Sequence, residues 1–181
     1  MKRLMIISIA SAVAFACGAQ TTENWKSVDD EAARFELPSE DIKSADDGLD
    51  DLHPGAMYEK LFTASKIDGA RWYKATGNSV RCKVTILKGT VASDVDGAAR
   101  QFAAMLKNEL SAEGSLSLLE EKTQRKNGVV EIYQQYRGED DVVTYKTIIG
   151  SNIVIILSAD DTAADASETA YFLKKVQVKS N

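Results

Sequence analysis

The strongest constraint on the fold is a run of five apolar residues, Ile153-Val154-Ile155-Ile156-Leu157. A strand with one wet face alternates apolar and polar residues, whereas a strand buried on both faces does not. This run therefore predicts a central strand that is covered by other elements on both sides.

The residues around this run predict a meander of three strands, Leu116–Thr123, Val129–Arg137 and Val142–Leu157. Asn127-Gly128 separates the first two. Both residues tolerate the positive φ of a tight hairpin turn, so they predict a direct antiparallel connection.

A second hairpin and three helices are predicted elsewhere. The hairpin joins Ala70–Thr76 to Ser79–Leu87, where Val80, Cys82, Val84 and Ile86 alternate with residues expected to face outward, Arg81, Lys83 and Thr85. Helical spacing predicts a short helix over Pro54–Ser65, a long helix capped by Ser93, and a last helix opened by Asp160-Asp161.

This order of elements predicts an α+β fold with an antiparallel sheet of about five strands and helices packed on it. The apolar run favours an α/β/α sandwich, in which helices cover both faces of the sheet. The alternative is a two-layer, cone-shaped α+β fold.

The succession resembles the PsbP-like α/β/α sandwich family, which includes many bacterial lipoprotein and secreted relatives. The resemblance covers most of residues 56–177 and is carried by Ser93–Glu113, Leu119–Thr123, Asn127-Gly128-Val129, Tyr136 and Ile153–Ser158. It implies an accessory or binding role, and the family offers no shared catalytic residues that could be transferred to this chain.

Residues 1–19 are predicted to be a secretory signal peptide. Lys2 and Arg3 precede a short apolar run, and small residues follow it. Cleavage before Cys17 would leave a lipid-attachment cysteine and a membrane anchor, although Ala14 and Phe15 depart from the usual lipoprotein pattern. The alternative is ordinary cleavage after Ala16 or Ala19, so we expect either a periplasmic or outer-membrane-anchored lipoprotein or a secreted soluble protein.

A charge step divides the remaining chain near Pro54. Residues 20–54 contain eleven acidic and three basic residues, whereas residues 55–181 contain sixteen acidic and seventeen basic residues. Residues 20–54 are predicted to be a loosely ordered tether, in which Phe35–Pro38 could add a strand to the sheet. Residues 55–181 are predicted to be a single globular domain. Asp46–Asp51 suggests a weak cation site, but an EF-hand register fails there and a solvated charge run is the simpler interpretation.

The sequence lacks the residues of common catalytic and cofactor sites. His53 is the only histidine, no G-x-S-x-G or phosphate-loop motif occurs, and Cys82 is expected to be a buried, inert thiol. One histidine and one mature thiol cannot fill a structural zinc site. The nearly neutral folded part argues against nucleic acid as a partner. We therefore expect no catalytic residue, no metal and no cofactor.

The remaining candidate is a partner-binding group formed by Arg71, Trp72, Tyr73 and Lys74, because exposed Trp, Tyr and Arg are preferred interface residues. Core packing of the aromatic rings is the simpler alternative. The favoured function is a non-catalytic module that binds an unidentified envelope protein. A carrier of a small apolar or amphipathic ligand is second, and a small exported hydrolase is third.

Overall fold

The computed structural model describes residues 25–38, 41–46, 58–63, 67–77, 79–112, 116–161 and 167–179. Within these residues the strands are β1 Trp25–Asp29, β2 Ala33–Pro38, β3 Lys43–Ala45, β4 Gly69–Thr76, β5 Val80–Lys88, β6 Ser117–Lys126, β7 Val129–Arg137, β8 Val142–Ile149, β9 Ile153–Asp161 and β10 Gln177–Val178. The helices are α1 Val95–Ala112 and α2 Ser167–Lys174.

A seven-stranded antiparallel sheet is the centre of the structure, with the order β3-β4-β5-β9-β8-β7-β6. Strand β9 lies in the middle, where Val154, Ile155 and Leu157 have no exposed surface. The prediction of a central strand buried on both faces is confirmed.

Helix α1 covers one face of this large sheet. The helix begins after Asp94, whose Oδ1 accepts a hydrogen bond from Gly97 N at 2.6 Å, so Asp94 rather than the predicted Ser93 caps it. Its buried Phe102 packs on the sheet and is 6.2 Å from the ring of Tyr58, measured between centroids. Residues 58–63 and α1 thus close the first hydrophobic core.

A second, three-stranded antiparallel sheet covers the opposite face, together with α2. Its order is β1-β2-β10, which joins the N-terminal strands to the C-terminal one. In β2, Ala33, Phe35 and Leu37 alternate with more exposed residues and are completely buried. They pack with Phe172 of α2 in a second core that also contains Ile155 of β9.

The predicted five-stranded α/β/α sandwich is wrong, and so is the two-layer alternative. The described chain is mostly β, with a seven-stranded and a three-stranded sheet and two helices. The apolar run in β9 does need cover on both faces, but a small sheet supplies most of the second layer that a helix was expected to form.

A turn at Gly150–Asn152 accounts for one of the strands that the sequence did not predict. Gly150 N donates to Ile153 O at 2.9 Å, and this turn divides the predicted strand Val142–Leu157 into β8 and β9. Strand β9 continues to Asp161, so the last helix begins at Ser167 and not at Asp160.

The prediction of a loosely ordered acidic tether is wrong for residues 25–38, because these residues form β1 and β2. The strand expected at Phe35–Pro38 is present as part of β2. The outward direction predicted for Thr85 is also wrong, since only 5% of its surface is exposed and its cross-strand neighbours Trp72 and Ile156 belong to the first core. In contrast, the Asn127-Gly128 hairpin is confirmed, with φ values of 52° and 81°.

Candidate functional site

A cleft of about 980 Å³ lies between the two sheets. We call it the inter-sheet cleft. On the large sheet it is lined by residues 88–90, 126–129 and 150–153, and on the small sheet by residues 31–32 and 176–179. Its volume is at the upper end of the range typical of ligand sites. The cleft exists because β10 and the β1–β2 turn lie opposite one end of the large sheet.

One wall of the inter-sheet cleft is an open strand edge. Strand β10 is the outer strand of the small sheet, and Lys179 N donates to Ala32 O at 2.9 Å. In an antiparallel pair, alternate residues direct their backbone groups toward the partner strand. Val176 and Val178, which both line the cleft, therefore direct their N–H and C=O groups away from β2.

The charges along the cleft balance. Glu31, Asp68 and Glu131 supply three carboxylates, and Lys88, Lys126 and Lys179 supply three ammonium groups. Lys88 forms an ion pair with Glu31 across the cleft, and Lys179 Nζ lies 2.8 Å from Asp29 Oδ1. The cleft therefore favours a neutral polar ligand over a strongly charged one.

Glu131 and Lys146 form a half-buried pair beside the cleft, 3.1 Å apart. Lys146 Nζ also donates to Leu173 O at 3.4 Å, which ties the large sheet to the last turn of α2. Burial alone would raise the pKa of Glu131, but the hydrogen bonds from Gln124 and Lys146 outweigh it and lower that pKa. Glu131, whose Oε2 is bound by both Gln124 and Lys146, is thus an ionised carboxylate and a poor general base.

The buried carboxylate of Asp30 connects the two sheets. Its Oδ1 accepts a hydrogen bond from Ala32 N, and its Oδ2 accepts hydrogen bonds from Arg71 Nη1 and Tyr73 OH, each at 2.8 Å. Burial opposes ionisation of Asp30, yet these hydrogen bonds lower its pKa overall. Burial and the bond to Asp30 raise the pKa of Tyr73 to about 12, which keeps this phenol a donor.

The four residues of the predicted partner-binding group do not form one surface. Arg71 and Tyr73 face the small sheet and bind Asp30, and Arg71 also pairs with Asp46. Trp72 faces the α1 side, with Lys74 Nζ 4.9 Å from its ring centroid. The alternation of a β-strand separates the pairs, because neighbouring side chains point to opposite faces.

The Cys82 thiol is buried, as predicted, with 2% of its surface exposed. Burial raises its pKa, and the nearby Glu168 and Asp161 carboxylates act in the same direction. Cys17, His53 and Asp47–Asp51 lie outside the described residues. Among the residues that are described, no cluster of metal-ligating side chains occurs, and no helix is long and apolar enough to cross a bilayer.

Sequence reasoning missed Asp30, β10 and the turn that lines the cleft. Gly150-Ser151-Asn152 is a typical turn sequence and could have been recognised. Asp30 is followed by a main-chain donor two residues later, the Asx-turn arrangement, but nothing local indicates its bonds to Arg71 and Tyr73. Strand β10 has two residues and no pattern of its own.

No family model matches the chain, and no curated protein does. A crystal structure of a protein from Bacteroides thetaiotaomicron VPI-5482 is similar with a TM-score of 0.37 and 15% sequence identity, over 82% of this chain and 46% of that protein. This chain therefore spans less than half the length of that protein.

Proposed function

We propose that this chain is a non-catalytic, exported envelope protein that binds an extended segment of another protein in the inter-sheet cleft. A lipid on Cys17 would hold it at the membrane after removal of the signal peptide. The observation that carries the proposal is the open edge of β10 inside a cleft of about 980 Å³.

The backbone of β10 supports an extended polypeptide as the ligand. Val176 and Val178 offer outward N–H and C=O groups, and a strand that pairs with them would extend the small sheet by β-augmentation. The balanced charges of the cleft suit this ligand, because the main chain of a peptide is polar but carries no net charge.

A carrier of a small apolar or amphipathic ligand is the second candidate. Ala32, Val129, Ile148, Ile153, Val176 and Val178 give the cleft some apolar surface. This candidate ranks lower because most of the lining is polar or glycine, and because side chains such as Phe102 and Leu106 already fill the space between α1 and the sheet. A hydrolase ranks third, since Glu131 is held ionised by its ion pair with Lys146 and Cys82 is buried.

The test uses the backbone of β10. Peptides selected from a random displayed library against the purified protein should bind the parent and a Val178→Ala variant. They should not bind Val178→Pro, which lacks the outward N–H but keeps the bonds that neighbouring residues make to β2. Equal urea midpoints of the two variants would show that both remain folded.

Two results would contradict the proposal. One is the absence of any enriched peptide relative to an unrelated control protein. The other is equal peptide affinity of Val178→Ala and Val178→Pro, which would place binding away from the β10 edge. Saturable binding of an apolar dye that is displaced by a fatty acid, without peptide binding, would favour the carrier instead.

A further inference from the structure

Strand β6 forms a long, exposed edge of the large sheet. It has ten residues, about 34 Å of extended chain, and is the outermost strand after β7. Every residue from Glu121 to Lys126 is exposed, and no other strand of the described chain pairs with the outer side. Such an edge is a template for pairing with another strand.

The Asn127-Gly128 turn determines which β6 residues can pair outward. Lys126 and Val129 flank this two-residue turn, so they form the hydrogen-bonded pair nearest to it. By alternation, Glu121, Thr123 and Arg125 direct their backbone N–H and C=O groups away from β7. The register irregularity between Leu118 and Glu120 lies outside this stretch.

A two-fold axis between two antiparallel copies of β6 places one residue of the strand opposite itself, either one of these three or a residue between them. A centre at Lys122 would set two ammonium groups against each other, and a centre at Gln124 would set Lys122 against the second copy's Lys126. A centre at Glu121 would set two carboxylates against each other, and a centre at Arg125 would set two guanidinium groups against each other. A centre at Thr123 places Glu121 opposite the second copy's Arg125, and Glu120 opposite the second copy's Lys126. Only this last register avoids a like-charge pair, and the symmetry makes each attractive pair occur twice.

We propose that β6 pairs antiparallel with β6 of a second copy of this chain, with Thr123 opposite Thr123, so that the two large sheets become continuous. Contacts within each chain hold the relevant side chains in place. Arg125 pairs with Asp96, and Glu121 Oε2 accepts a hydrogen bond from Gln134 at 2.8 Å. An interface of one strand per copy is small, so the association is weak and depends on concentration.

Charge reversal tests this register. Analytical ultracentrifugation of the purified protein over a wide concentration range should show a monomer–dimer equilibrium that weakens with added salt. Glu120→Lys and Lys126→Glu should each raise the dissociation constant about tenfold or more, because each creates two like-charge pairs. An equimolar mixture of the two variants should associate like the parent, and so should the double variant.

Backbone substitution gives a second, independent readout. Thr123→Pro removes an outward N–H and should abolish association, whereas Thr123→Ala should not. A parent that stays monomeric at all concentrations overturns the proposal. The proposal is also overturned if neither charge reversal nor Thr123→Pro changes the association. It is overturned as well if a mixture of the two charge-reversed variants remains monomeric.

Discussion

Replacing Asp30 should weaken the contact between the two sheets, because its buried carboxylate bridges them. The carboxylate has 4% of its surface exposed and accepts three hydrogen bonds, from Ala32 N, Arg71 and Tyr73. Two of these bonds cross from the small sheet to β4 of the large one. Because Glu31 and Ala32 line the inter-sheet cleft, the shape of the cleft depends on this residue.

The magnitude follows from these contacts. A hydrogen bond to a charged group contributes about 1.5–3 kcal/mol, and loss of one member of a buried ion pair costs about 3–5 kcal/mol. Arg71 is 35% exposed and keeps Asp46 as a partner, so water and Asp46 can stabilise its charge. We therefore expect Asp30→Ala to lower the free energy of unfolding by about 3 kcal/mol, and Asp30→Asn, which keeps an acceptor for Ala32 N, by about 1–2 kcal/mol.

The effect should depend on pH. The pKa of Asp30 is lower in the folded protein than in the unfolded chain, so its contribution is complete above about pH 4, the unfolded value. It is lost as the pH falls through the folded pKa. The difference between the parent and Asp30→Asn should accordingly be constant near neutral pH and become smaller in acid.

Urea unfolding at several pH values measures these differences. Asp140→Ala, in the exposed turn between β7 and β8, is the matched control and should change stability by less than about 0.5 kcal/mol. If Asp30→Ala is as mild as Asp140→Ala, or if the effect of Asp30→Asn does not change in acid, Asp30 does not hold the sheets together.

Three further predictions concern the core and the N-terminus. Ile155 has no exposed surface, so Ile155→Ala should lower the free energy of unfolding by about 2–5 kcal/mol in urea titrations, and a loss below about 1 kcal/mol would be inconsistent with a doubly covered β9. In a Cys17→Ser variant, Cys82 should not react with a thiol reagent until the protein is denatured, and rapid reaction of the native protein would show that β5 opens. In its host, the same variant should lose fatty-acid labelling and membrane attachment, and the lipoprotein proposal fails if the parent is never labelled.

The sequence predicted the features that depend on neighbouring residues. Five apolar residues in succession identified β9, and Asn127-Gly128 identified the β6–β7 turn, because each needs only local chemistry. The β8–β9 turn was also predictable, since a single strand over Val142–Leu157 would be longer than strands usually are and contains Gly150. The burial of Thr85 was not predictable, because it depends on the first core, to which its cross-strand neighbours Trp72 and Ile156 belong.

The small sheet shows why the composition of the acidic segment does not predict its structure. Net charge averages over a segment, whereas a strand needs an apolar residue only at every second position. In β2, Phe35 and Leu37 are fully buried while Arg34 is exposed, so the charge and the core contact occupy different faces. Helix α2, which packs against β2, is distant in sequence: its Tyr171 OH donates a hydrogen bond to Glu36 Oε2, 135 residues away. The second core and the cleft beside it thus arise from the meeting of the two ends of the described chain, which no local pattern in either end could reveal.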